Sequence, residues 1–427
     1  MGSSCGVGCF TLFARECSVP PRATTVFVPP MSMRMSQGGA VVWVMVPGVV
    51  EVVEQRKKID CATIIEYTVR MKGTEVGKVG KAVLGQREGS ALTIGQHVLR
   101  SKIVVAPMVG ITDAPFRTLA EELGAGMVTT EMVSSEALVR NIPAALDKID
   151  ITPLPIPTAA QIMGASPEAM AEASQICVAR GADIIDVNLG CPVRKIVNQG
   201  AGACLARDIS RAAAVFEAIV SAVDVPVTAK IRTGWDEDSL IAPELAAALE
   251  KVGVAAVTVH GRSRAQGYRG LARWDIIRKV KERVAIPVLG NGDVMDGPSL
   301  AERWTDSGLD GIAIARGVVG NFWFLRQAVE QVDHGTEIPM APFAERVQLA
   351  RRHVRRLLDY YGEHKASKVG KKYLAWTIKG CAHAARLRTS LQEATTGSEM
   401  ERIFDDVLES GEATSGWFQP TFISGEG

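Results

Sequence analysis

Val225-Pro226-Val227-Thr228-Ala229-Lys230-Ile231, then an amphipathic run from Ala242 to Val252, then Ala255-Ala256-Val257-Thr258-Val259-His260: this stretch sets the fold. A short β-branched segment passes through a helix-like one into a second β-branched segment, the unit from which parallel sheets are built. Outward from it the rhythm repeats. Strand-like runs fall at 103–106, 127–130, 158–162, 184–188, 225–231, 255–260, 286–290 and 311–315. Helix-like stretches lie between them at 115–123, 167–180, 211–223, 242–252, 274–283 and 299–307, weakest between the second and third strands. Eight such units in roughly 230 residues give the size and rhythm of a (β/α)₈ barrel, an α/β fold. A doubly wound open sheet usually has fewer strands and a glycine-rich first turn. Here the first turn, Pro107-Met108-Val109-Gly110, is not GxGxxG.

The flanks differ from this centre. After Pro342 the strands stop, and 347–360, 368–387 and 400–408 have helical spacing. Between Phe343 and Ser390 twelve Lys/Arg face three acids, a surplus of about +9 that suits a phosphate backbone as readily as a solvated face. Among these cations Arg351, Arg355 and Lys372 are expected to touch such a backbone. Residues 1–91 show no sustained period, carry Gly/Ser/Pro clusters, and hold Arg15, Arg22 and Arg34 against Glu16 in the first fifty. They are expected to form a poorly structured or non-native extension, a transit segment or an over-extended start with Met71 as a later one. The resulting division is 1–91 extension, 92–340 barrel, 341–410 basic helical domain and 411–427 flexible tail.

Bulk properties narrow the class. The 427 residues are 47% hydrophobic, enough for a large core, and the net charge is +1. Eight cysteines occur without a CxxC pair, which argues against a zinc site or a disulfide framework and for a reducing cytoplasm. The longest apolar run, 40–50, is interrupted by Pro47 and falls short of the about 20 residues of a membrane span.

In a barrel, the loops after the strands' C-terminal ends build the active site, and chemically active residues cluster there. The ends read Ala106-Pro107-Met108, Gln161, Asn188-Leu189-Gly190-Cys191-Pro192, Lys230-Ile231-Arg232, His260-Gly261-Arg262, Gly290-Asn291-Gly292-Asp293 and Ala315-Arg316-Gly317. A single strand-end Asn or Lys is more often a loop cap; so many in phase with one rim are hard to assign to packing. The glycines after strands seven and eight can bring backbone N–H groups to a phosphate, with Arg316 adding charge. Gln161, Asn188 and Lys230 offer hydrogen bonds and positive charge to a planar heterocycle, and Pro107-Met108 a rigid turn against it. A flavin mononucleotide fits these parts. Cys191 has no His beside it in sequence, so its thiol reads better as a general acid than as a nucleophile.

Residues 106–113 (Ala-Pro-Met-Val-Gly-Ile-Thr-Asp), 188–192, 230–235 and 260–268 together resemble the tRNA-dihydrouridine synthases, most nearly the bacterial B-type branch. The likeness runs from about Leu92 to Glu409, taking in 372–380 of the basic segment. It implies an FMN enzyme reduced by NADPH that saturates the C5–C6 bond of a tRNA uridine. Hydride goes from flavin N5 to C6, and Cys191 gives a proton to C5. It further implies Met108, Gln161, Lys230, His260, Asn291, Gly292 and Arg316 as flavin contacts, beside Pro107, Asp293 and Ala315 from the strand ends. Asn188, Arg262 and Arg264 face flavin or RNA. The family has Met where Leu189 stands and Gly where Ala315 stands; the extra methyl would crowd the phosphate loop. A uracil inside folded tRNA must be turned out of its stack, at a few kcal/mol, to reach such a site. A monomer without a metal is expected. The rivals are a flavin-dependent dehydrogenase of a free pyrimidine, a non-catalytic RNA-binding protein, and a barrel lyase using a Lys230 Schiff base.

Overall fold

The computed structural model describes residues 91–305, 307–378 and 382–411, and by backbone pairing alone the strands at 24–26, 50–59, 62–71 and 74–84. The expected tail beyond Gly411 and the pair Lys379-Gly380 lie outside the described residues. Where the sequence shows no period, Val50–Ile59, Ala62–Met71 and Thr74–Leu84 pair antiparallel in order, with Thr24–Val26 on the outer edge of the first. That sheet belongs to a unit of its own, 1–90.

From Ala91 the chain forms a second unit. Around the ring run β1 Ile103–Val105, β2 Val128–Thr129, β3 Thr158–Met163, β4 Ile184–Leu189, β5 Val227–Arg232, β6 Ala256–His260, β7 Val288–Asn291 and β8 Gly311–Ile314, and the short Val133–Ser134 pairs parallel with β3 as well. Each pairs with the next, β8 returns to β1, and the bridge Val104–Met127 closes the ring between β1 and β2. Besides the single turns Pro143–Leu146 and Arg194–Val197, the helices are α1 Ala114–Glu122, α2 Ser135–Val139, α3 Pro167–Ala179, α4 Ile209–Val220, α5 Ala242–Lys251, α6 Trp274–Arg283, α7 Gly297–Trp304 and α8 Phe322–His334. Their starts are written locally. Asp113 caps α1 by accepting from Phe116 N, Ser166 caps α3, and Asp296 with Ser299 forms a capping box on α7. The short α2 stands where the helical pattern was weakest. α8 closes the barrel and was not delimited from sequence.

Strand alternation sorts the side chains. One parity, with Ile185, Val187, Ala229, Ile231, Val257 and Val259, packs outward against the helices. The other faces inward and changes character along the strands. At the lower end Val104, Ala159, Ile184, Ala256, Leu289 and Ala313 form an apolar layer, plugged by Ile94 of the small hairpin 93–98 and by Leu92 and Leu99 that flank it. At the upper end the same parity delivers Gln161, Asp186, Asn188, Lys230, Arg232, His260 and Asn291. Core and polar rim are two ends of one inward face.

Three helices follow: α9 Phe343–Ile378, α10 Ala384–Glu393 and α11 Gly397–Ser410. α9 is two helices meeting at Gly362, whose φ of 72° only glycine adopts freely. The single helix expected over 368–387 is broken: α9 ends at Ile378, and α10 starts after His383 in left-handed conformation (φ 56°). Val354, Leu374, Leu391 and Phe404 give this bundle its own core. A second face of α9 packs on the barrel, where Phe116, Phe322 and Tyr373 surround the buried His353 ring. Among the described residues no helix is long and apolar enough to cross a membrane.

Candidate active site at the barrel mouth

A cavity of about 440 Å³ opens at the upper rim, within the usual range for small-molecule sites. It gathers residues from seven strand ends: Pro107, Met108, Gln161, Asn188, Cys191, Lys230, His260, Asn291, Gly292, Asp293, Ala315 and Arg316. Arg232, Tyr268, Met132 and Val193 also line it.

The amides are locked. Gln161 Nε2 donates to Asp186 Oδ2 at 2.6 Å, and Asn188 Nδ2 donates to Gln161 Oε1 at 3.1 Å. Asn188 Oδ1 accepts from the N–H groups of Gly190 (3.1 Å) and Cys191 (2.8 Å), which fixes the turn carrying the thiol. From below the turn, Ala203 N donates to Cys191 O at 3.2 Å.

The cations are held largely by carbonyls. Arg232 Nε donates to Gly190 O at 2.7 Å and its Nη1 to Ser263 O and Gly267 O at 3.0 and 2.9 Å. Lys230 Nζ reaches Asn291 Oδ1 at 3.3 Å, while Asn291 Nδ2 donates to Ala313 O at 2.6 Å. Carbonyls satisfy these donors without cancelling their charge. Burial first, and then Arg232 beside it, pulls Lys230 down to about 8; burial brings Arg232 itself to about 10. His260 is held well below its usual value by burial and then by Arg232, Lys230, Arg262 and Arg316, so at neutral pH it is an uncharged imidazole. Burial raises the Cys191 thiol against the weaker pull of Val193 N–H, Arg232 and Lys230; below that raised value it keeps its proton.

Arg262 and Asp293 are tied to one another and to the loop after β6. Asp293 pairs with Arg262 Nη2 at 2.8 Å and Arg316 Nη2 at 3.3 Å, and accepts from Ala272 N at 2.7 Å. Arg262, 3% exposed, also donates to the carbonyls of Arg269 (3.1 Å) and Gly270 (2.5 Å), leaving its buried Nη1 without a protein partner. Together they brace the 261–272 loop against β7. At Gly317 a Cβ would lie 2.4 Å from Val294 O, so the loops after β7 and β8 meet too closely there for any other residue.

Other expected contacts sit elsewhere. Arg264 stacks on Trp235 at 4.6 Å, with Arg207 on the same ring at 4.5 Å, outside the cavity. Arg351 and Arg355 share Glu401 (2.5 and 2.7 Å), and Arg351 also takes Asp405 at 2.9 Å. Lys372 donates to Gly110 O of the β1–α1 loop, and Gly110 N donates to Glu131 at 2.7 Å. Sequence reasoning assigns no role to Asp186, Arg232 or Tyr268. The signal for the first two is parity: Asp186 shares its strand face with Asn188, and Arg232 with Lys230.

Known proteins resemble the chain closely over this unit. The family model for dihydrouridine synthases matches residues 104–411. A probable tRNA-dihydrouridine synthase of Rickettsia prowazekii is 40% identical over 301 residues, 70% of this chain and 92% of the relative. The tRNA-dihydrouridine synthase B of Proteus vulgaris is 39% identical over 323 residues, 74% and 99% of the two chains. That of Escherichia coli is 39% identical over 321 residues, 75% and 99%. The chain belongs to the dihydrouridine synthase family.

Proposed function

We propose that this protein is a tRNA-dihydrouridine synthase that reduces the C5–C6 double bond of a uridine in tRNA, using FMN and NADPH. The observation that carries the reading is the Cys191 thiol, its turn fixed by Asn188, on the wall of a cavity whose cations are mostly uncompensated. Relatives named for this activity cover over two thirds of the chain.

The residues suit a flavin phosphate. Lys230, Arg232 and Arg316 face the cavity against one carboxylate there, Asp293, and the site gathers three amides, from Gln161, Asn188 and Asn291. Gln161, Asn188 and Lys230 would hold the polar edge of the ring, Pro107 and Met108 its face, with His260 neutral beside it. Asn291, Gly292, Asp293, Ala315 and Arg316 would hold the ribityl phosphate end. When bound, FMN supplies the hydride for uracil C6, drawn from NADPH. Cys191 holds the matching proton at Sγ and releases it to C5. Lys230 and Arg232 then stabilise the thiolate left behind.

RNA enters over the rim, with Arg264 and Arg207 bordering it and the bundle α9–α11 gripping the backbone through cations that carboxylates leave free. We read 92–340 as the catalytic domain, 341–410 as the tRNA-binding domain and 1–91 as an appended extension of a monomer working in the cytoplasm. A free-pyrimidine dehydrogenase would give the bundle nothing to hold.

Cys191→Ala tests the reading. It should keep bound flavin and its reduction by NADPH, while dihydrouridine formation in tRNA, read by mass spectrometry of nucleosides, falls about 10²–10⁴-fold. Undiminished tRNA reduction in the variant, or equal wild-type activity on free uracil, would refute it.

A further inference from the structure

The amides at the mouth form a chain with a direction. At its lower end Asp186, 6% exposed, accepts from Thr228 Oγ1 at 2.7 Å and from Gln161 Nε2 at 2.6 Å. Gln161 is 1% exposed and Thr228 5%, so water does not substitute. Burial raises the Asp186 carboxyl against the pull of its two partners and Lys230, but ionised, or protonated on Oδ1 toward Thr228, its Oδ2 accepts, which obliges Gln161 to turn its Nε2 downward and its Oε1 toward Asn188. Backbone N–H groups only donate, which obliges Asn188 to turn Oδ1 toward Gly190 and Cys191 and its Nδ2 toward Gln161. The two demands agree, and the amides meet donor to acceptor at 3.1 Å. Reversing Gln161 would bring its Nε2 against Asn188 Nδ2. Asn188 would then have to turn as well, setting a donor against the Cys191 N–H. Only an acceptor at position 186 keeps the chain in the register that holds the thiol turn.

We propose that Asp186 is a positioning residue for the Cys191 thiol, acting through Gln161 and Asn188. Its catalytic consequence rests on the function proposed above; its structural consequence, the orientation of the thiol turn, does not. The role belongs to the acceptor rather than to the charge. An asparagine at 186 can turn Oδ1 to Gln161 and donate Nδ2 to Thr228 Oγ1, whose hydroxyl accepts as well as donates. A leucine of similar size offers nothing, and both amides lose their bias.

Asp186→Asn and Asp186→Leu therefore separate, in the flavin-loaded enzyme. D186L should lose about 10- to 100-fold in kcat for tRNA with KM within about twofold and flavin retained, the size of effect a slightly misplaced reacting group produces. Its Cys191, followed by peptide-resolved mass spectrometry with iodoacetamide, should alkylate at least about threefold faster, because the turn is loosened. D186N should stay within about threefold of wild type in kcat and in alkylation. If D186N is as impaired as D186L, charge rather than orientation acts and the proposal fails. It fails equally if D186L alkylates at the wild-type rate. Should D186L not fold, D186A takes its place with the same expectations. The alkylation arm needs no RNA, so a wild-type protein inactive on tRNA would sink the function and leave the relay to be judged by itself.

Discussion

At the barrel mouth Arg232 gives its guanidinium to three carbonyls, whereas in the helical bundle Arg351 and Arg355 give theirs to carboxylates. Arg352 and Arg356 do the same across the seam, both reaching Glu122 of α1. The hydrogen bonds are alike, but the residual charge is not. A carbonyl leaves the cation's field in place, and after burial, the larger cause, that field adds to the lowering of the Lys230 and His260 pKa values. A carboxylate cancels it. The surplus between Phe343 and Ser390 overstates the bundle's pull on RNA, since Glu122, Glu401 and Asp405 lie outside that stretch. The mouth, which no stretch of sequence marks as basic, keeps more of its charge.

Replacing one arginine in each region sharpens this contrast. Arg232→Met leaves the carbonyls of Gly190, Ser263 and Gly267 without their donor and unties two loops from the end of β5 at once. It should cost about 4 kcal/mol, from about 1–2 for each stranded group, by urea denaturation. Arg351→Met removes a partly exposed ion pair whose acid still has Arg355, and should cost about 1 kcal/mol or less. Equal losses would mean the two sets of bonds are energetically the same and the contrast is only one of charge.

The barrel was legible because alternating parity and helical spacing leave their mark over every few residues. All eight strand positions follow from β-branched runs, and the strand-end polar residues follow from them. What resisted was pairing across distance. That Arg262 folds back on Asp293 and Gly270 depends on a loop closing over eight residues and on β7 beside it. That Glu401 meets Arg351 depends on how α11 docks on α9. Asp186 was readable in principle, two residues from Asn188 on the same face, but a buried acid gains its role only once Gln161 of the neighbouring strand is seen opposite. α8 escaped because Phe322-Trp323-Phe324-Leu325 gives a block of apolar residues before any helical period shows.

The seam between the two regions holds a charge treated in neither way. Asp113 caps α1 and accepts from Tyr361 of α9 at 3.2 Å, and burial, opposed by the Phe116 N–H and by Lys372, raises it to about 6. Its folded value exceeds the unfolded 3.8, so the folded state takes up a proton more readily than the unfolded one between these values. Stability from this group is therefore full below about pH 4 and lost as pH rises through about 6, by up to about 3 kcal/mol. Asp113→Asn keeps the cap acceptor and removes the titration. Subtracting its denaturation free energies from wild type across about pH 4–7 should give a difference that drifts against the wild type as pH rises. A flat difference would show that Asp113 is as well compensated as the bundle's carboxylates.

The smallest effect tests the bundle itself. Lys368, Arg386 and Arg388 are exposed and have no ion pair among the described residues, unlike Arg351 and Arg355. If tRNA is gripped by whatever charge carboxylates leave free, the exposed three should carry the salt dependence. Changing each to Gln should lower the slope of log K for tRNA against log salt by about 0.7–0.9 for every phosphate that is no longer neutralised. Arg351→Gln and Arg355→Gln should each change it by less than about half of that, because the freed Glu401 charge is shared with the remaining arginine. Lys372→Gln should act through the β1–α1 loop, where its ammonium meets Gly110 O, and so leave the slope nearly unchanged. A slope that instead tracks Arg351 and Arg355 would mean that RNA displaces Glu401 on binding, and that the bundle's ion pairs are a resting state rather than a fixed feature.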